Sequence, residues 1–178
     1  MSKAPSTSIS IKNLLLKETK SAYPDMTFVR SRLEFSKKNK DEDREFEDSE
    51  ISQNLLAKAI ESYKNGDYKT CISKAGQIPL SDPMFTAAQY LIAYSFFHTQ
   101  AYEQATEIFK GMSQNQGFFK EINREEAAWM HILSQYHFHK KTNDDFQKKE
   151  LKAAVEYFIT KYPNNTSTYG TLARKIQL

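Results

Sequence analysis

Apolar residues along this chain recur with helical spacing, and the pattern itself repeats. From Ser52 to about Phe119 it returns every 34 residues: Ala59 recurs as Ala93 and Ala127, Tyr68 as Tyr102, Cys71 as Ala105, Ala75 as Phe109, and Ile78 as Met112. Each copy opens with an apolar-rich helical stretch that is broken at Gly66-Asp67-Tyr68 or Gln100-Ala101-Tyr102. A second helix follows, with Tyr68, Cys71, Ile72, Ala75 and Ile78 on one stripe, and Tyr102, Ala105, Ile108, Phe109 and Met112 on its counterpart. Each copy is therefore predicted to be a helical hairpin. The first closes at Ser81-Asp82-Pro83, where a capping side chain precedes a proline placed at the next helix's first position.

Further along the pattern loosens, and the third opening helix reads as several residues longer than the first two. Asn123 and Glu126 are placed like a capping box ahead of a third opening helix, which runs through Glu125-Glu126-Ala127-Ala128-Trp129-Met130 to about Lys141 and breaks at Thr142-Asn143-Asp144. Its partner carries Leu151, Ala154, Val155, Phe158 and Tyr162 on one face and ends at Tyr162-Pro163-Asn164-Asn165. A short stretch from Tyr169 to Ile176 is expected to cap the array, because an end unit meets water on its outer face. With no alternating β-branched run, the expectation is an all-α protein of at least six helices and no sheet.

The small residues at Ala59, Ala93, Cys71 and Ala105 sit where two antiparallel helices must approach closely and a larger side chain would overpack. That arrangement, with Gly66 and Tyr68 at the hairpin turn and Pro83 closing the unit, resembles the tetratricopeptide repeat over residues 52–119. In the second copy Gln100 stands where the family has glycine, and Gly117 where it has proline. The resemblance implies a right-handed α-α superhelix of TPR-like hairpins over residues 49–178, with units at about 52–85, 86–119 and 120–163 and a capping helix at 166–177. A weaker likeness, carried by a "YP" segment, the "SDP" repeat end, the "EEAAW" helix and the "KYPNN" ending, is to the tetratricopeptide domains of bacterial envelope-associated proteins. It implies that Met1 need not be the native start and that an anchor lies outside this chain.

Charge divides the chain. Residues 1–40 hold nine Lys/Arg and three Asp/Glu, residues 41–50 hold one arginine and seven acids, and the rest holds fifteen basic and twelve acidic residues, so the local balances are +6, −6 and +3. The acidic run Asp41 to Asp48 offers only Phe46 as apolar surface and reads as a hydrated linker, with Asp48 or Ser49 capping the helix after it. Residues 1–48 thus form a separate N-terminal segment. It is not a free tail: Ile11, Leu14, Leu15, Phe28, Val29, Leu33 and Phe35 are too many apolar side chains for one, and Asp25 after Pro24 is placed to cap a helix running to about Lys38. Much of residues 8–38 is expected to be helical and to dock on the repeats or on a second copy of the chain, making a homodimer.

The chain's 178 residues, 39% hydrophobic and 26% charged, suffice for one core, while a mean hydropathy of −0.68 and no apolar run near the roughly 18 residues that cross a bilayer exclude a membrane span within it. No signal peptide is recognised, since Ile9 to Lys12 and Leu14 to Leu16 are too broken by polar groups. A cytoplasmic setting is expected, the alternative being the soluble domain of an anchored envelope protein. The glycosylation strings at Asn164 and Asn165 then have no use.

Catalytic chemistry finds little support. Cys71 occupies the small-residue position of its helix, His137 and His139 lie about 200° apart on a helix with His131 six positions away, and the acid pairs Glu125-Glu126 and Asp144-Asp145 stand at helix starts. There is no phosphate loop, serine elbow or HExxH string, so neither an enzyme, a metal, a cofactor nor a small-molecule substrate is expected. Nucleic-acid binding is disfavoured despite a pI of about 8.8, because Lys37-Lys38, Lys140-Lys141 and Lys148-Lys149 are scattered and not interleaved with aromatics. What the resemblance implies is protein–protein interaction, an adaptor or scaffold holding a peptide or protein segment in a concave groove. The alternative is a small dedicated chaperone like those serving type III secretion translocators.

By the repeat alignment, the groove-facing positions are Leu56, Ile60 and Tyr63, then Ala87, Tyr90, Tyr94 and Phe97, then Arg124, Ala128 and His131. Leu56 and Ile60 stand where chaperone-tail binders of the family carry lysine and asparagine, which argues against a carboxylate clamp. Tyr63, Tyr90, Tyr94 and Phe97 are the expected anchors, with Arg124 and His131 as polar guides. The competing expectation is that these rings pack against neighbouring helices or the N-terminal segment.

Overall fold

The computed structural model describes residues 17–19, 22–38, 46–115, 123–163, 168–174 and 176. Among them every regular element is helical: α1 (Met26–Lys38), α2 (Phe46–Lys64), α3 (Tyr68–Ala75), α4 (Phe85–His98), α5 (Tyr102–Gln114), α6 (Arg124–Thr142), α7 (Asp145–Lys161) and α8 (Thr168–Ala173). Three expected features fall outside the described residues: the docking of Ile11, Leu14 and Leu15, the acidic stretch 41–45, and the closure of the second unit at Gly117.

Successive helices pair as hairpins, α2 with α3, α4 with α5 and α6 with α7, and each hairpin packs on the next, with α8 lying against α6 and α7. Backbone hydrogen bonds reproduce the 34-residue period. Asp67 N donates to Ser62 O and Gly66 N to Tyr63 O in the first turn, and Ala101 N donates to Phe96 O and Gln100 N to Phe97 O in the second. Closing a helix this way requires a left-handed residue. Gly66 supplies it at φ 74°, and Gln100, a residue that adopts this region only at a cost, is held in the same place at φ 60°. Asn143, at φ 52°, ends α6 likewise.

The small positions of the pattern are core. Ala59, Cys71, Ala93, Ala105 and Ala127 have no exposed surface, and around them lie Leu56, Leu91, Phe109, Met112, Trp129, Ile132, Leu133, Leu151 and Phe158. At the far end Tyr169 of α8 stacks on Trp129, ring centroids 5.6 Å apart, and Leu172 and Ala173 are buried, so the expected cap is present, shorter than the predicted 166–177.

Helix starts differ from expectation in three places. The helix α2 begins at Phe46, so the boundary set near Asp48 falls inside it, and this part of the acidic run is helix and not linker. Pro83 precedes α4 instead of opening it, because Asp82 Oδ1 accepts from Met84 N at 2.7 Å and holds Pro83-Met84 in a turn. At α6 the capping box is half made. Asn123 Oδ1 accepts from Glu126 N at 3.2 Å, but the Glu126 carboxylate is engaged elsewhere.

Candidate functional site

The helix α4 is apolar around most of its circumference, and nine of its residues, Ala87, Ala88, Tyr90 to Ser95 and Phe97, are buried. A helix of that composition must be covered on all sides. On one side α3 and α5 cover it; on another lie α2 and the N-terminal segment, which crosses from α6 to α2. Thr19 Oγ1 hydrogen-bonds His137 Nε2 of α6 at 2.7 Å, Tyr23 packs on His98 at the end of α4 with centroids 5.4 Å apart, and Phe28 meets Tyr90 edge-on at 5.7 Å. Val29 is fully buried.

This placement corrects the expectation of an open surface. Tyr63, Tyr90, Tyr94 and Phe97 are 5%, 2%, 1% and 2% exposed, covered in part by the chain's own segment. Docking on the repeats, one of the two expectations for that segment, is what its described residues do. Its helix also starts as read: Asp25 Oδ1 accepts from Thr27 N at 2.9 Å and from Phe28 N at 3.3 Å.

A polar chain runs through the apolar contact. Asp25 N donates to Tyr90 Oη at 3.1 Å, Tyr90 Oη donates to Glu126 Oε1 at 2.7 Å, and Tyr94 Oη donates to the same oxygen. Burial pushes both phenols well above the ordinary tyrosine range, and the Glu126 carboxylate pushes the same way, so both remain hydrogen-bond donors. Tyr63, raised chiefly by burial, keeps a buried hydroxyl with no partner beside Tyr68 and His98. Burial also lowers His98 and His137, so both rings contact the segment in their neutral form near pH 7. Phe97 packs against Tyr102 and His137.

The two expected polar guides lie elsewhere. Arg124, half-buried at the start of α6, acts electrostatically on Tyr162 at the end of α7. His131 is five positions after Glu126, about 140° around the helix, and lines a cavity facing α5 and α7. Glu126, His98 and His137 are the site residues that the alignment missed. Glu126 was absorbed by the capping-box reading, and the two histidines follow the aromatic stripe without belonging to it; only their position beside Phe97 and Tyr102 in space identifies them. Cys71 is a buried thiol, raised to about 11 by burial, and contributes no nucleophile here. Among the described residues no group of three or more His, Cys, Asp or Glu could hold a metal ion, and no helix is long and apolar enough to cross a membrane.

No family model, curated protein or solved structure matches the chain.

Proposed function

We propose that this protein is a non-enzymatic interaction module of the tetratricopeptide type, a superhelix of hairpins whose concave face, formed by α2, α4 and α6, holds a segment of a partner protein. The observation that carries the reading is the occupant already there. The described residues between 17 and 33 cross this face through the buried Ala22 and Val29, an edge-on contact of Phe28 with Tyr90 and a main-chain N–H bonded to Tyr90, which is how such a surface would grip a polypeptide. The groove is thus aromatic and apolar with one carboxylate behind it, suited to a short helix preceded by an extended stretch.

On this reading the N-terminal segment is a resident competitor. Being tethered, it acts at an effective concentration in the millimolar range, so a partner must either bind tightly or meet the chain with the segment released. The test uses the full chain carrying Val29→Asp, which places a charge at a fully buried point of the contact. A fluorescent peptide of residues 17–38 should bind this variant saturably and bind the unmodified chain far more weakly, and adding Tyr90→Ala should abolish the gain. Equal binding of the peptide to all three chains would refute the assignment of the face.

A further inference from the structure

The other side of α6 carries a site of different character. His131, Gln135 and Phe138 lie about 120° to 180° around the helix from Glu126, and with α5 and α7 they enclose a cavity of about 290 Å³. That is below the usual range for a drug-sized ligand and suits a single long side chain. Its walls are acidic. Glu103 and Glu107 stand one turn apart on α5, neither in an ion pair among the described residues, and Glu150 of α7 pairs with Lys110 at 3.5 Å. Like charges spaced four residues apart repel, a cost that a bound cation would remove.

Two polar atoms of lining residues are unsatisfied, each closed off from the cavity's open space. His131 Nδ1 and Thr106 Oγ1 are buried without a hydrogen-bond partner, although each such atom ordinarily finds one. His131 is itself 5% exposed and held neutral, pushed down to about 4 by burial and by Lys110, so its ring adds no positive charge to the cavity wall. Phe138 and Phe146 complete the lining, and Phe146 is a large apolar side chain left 60% exposed.

We propose that this cavity receives the guanidinium of an arginine side chain from a partner polypeptide, held by the Glu103 and Glu107 carboxylates and the faces of Phe138 and Phe146. A guanidinium fits better than an ammonium because it is planar, stacks on rings and presents a fork of donors to the two carboxylates of α5. The inference is independent of the reading of the α2, α4 and α6 face.

The test follows the His131 ring resonances of the full chain by NMR during titration with N-acetylarginine methylamide, against the neutral citrulline counterpart, blocked lysine, free L-arginine and sodium chloride at equal ionic strength. Blocked arginine should shift them saturably with a half-point of about 1 mM, more tightly than blocked lysine and with no response to citrulline. Glu107→Gln, an exposed change on a helix surface, should weaken binding about threefold. Free L-arginine should bind less well, since its carboxylate meets the same acids; equal or tighter binding would overturn the polypeptide source. No saturable shift, an equal response to citrulline, or indifference to Glu107→Gln would leave the cavity a water site and overturn the proposal.

Discussion

Replacing Tyr90 with phenylalanine keeps the ring that meets Phe28 and Tyr94 and removes one oxygen, which is both the acceptor for Asp25 N and a donor to Glu126. Two effects should separate. Loss of the bond to the carboxylate weakens the repeat array itself by about 1.5 to 3 kcal/mol, the range for hydrogen bonds to charged groups. Loss of the bond from Asp25 N acts only on the docked segment. It is worth about 1 kcal/mol net, since a released N–H at this exposed residue finds water. Tyr94→Phe supplies the control, because Tyr94 Oη bonds Glu126 and makes no hydrogen bond to the described residues of the segment.

Hydrogen exchange resolved along the chain is the assay. In Tyr90→Phe the amides of residues 26–34 should exchange about fivefold faster than the global loss of stability explains, the factor that 1 kcal/mol implies. In Tyr94→Phe they should follow the global change alone. Thermal unfolding should fall by about 2 to 4 °C per kcal/mol in both variants. If the two variants loosen residues 26–34 equally, or if Tyr90→Phe leaves them as protected as before, the Asp25–Tyr90 bond does not hold the segment and the docking argument fails.

Two further outcomes test the core. Ala93→Phe places a ring where a methyl has no exposed surface, and it should cost about 1 to 3 kcal/mol by overpacking; an unchanged urea midpoint would show that the repeat register is wrong. His131 carries a pH signature: its folded value of about 4 lies below the unfolded one of 6.5, so the unfolded chain binds the extra proton as pH falls through 6.5, and stability declines from there until both states are protonated below about 4. Between pH 7 and 5 this amounts to about 2 kcal/mol, which His131→Asn should remove from the slope of stability against pH while the smaller contributions of His98 and His137, of the same sign, remain.

Helix positions and hairpin order were readable because the period-3.6 stripes and the 34-residue offset are local signals. Even the strained turn could be found, since Gln100 aligns with Gly66 and the chain must reverse at both. Which face stays open was not readable. Periodicity places Tyr90, Tyr94 and Phe97 on one stripe of α4 but carries no record of what lies against it, and the answer comes from Val29 and Phe28, more than fifty residues earlier. His131 shows the same limit in angular form: the repeat alignment carried it to the groove, whereas its 140° offset from Glu126 turns it to the opposite cavity.

Glu126 links these levels. In a full capping box its carboxylate would turn back to the Asn123 N–H; here it reaches two phenols of α4, while Asn123 caps the helix alone. The diversion is tolerable because a carboxylate in the first turn still complements the helix dipole. It has a structural consequence. The same oxygen fixes the start of α6 against the middle of α4, and through Tyr90 it orients the atom to which the N-terminal segment is bonded. A partner that drew Asp25 away would leave Tyr90 Oη a vacant acceptor still polarised by Glu126, ready for another main-chain N–H. On the proposed function, release of the segment and capture of a replacement would require no rearrangement of α4 or α6, only an exchange of the backbone that lies across them.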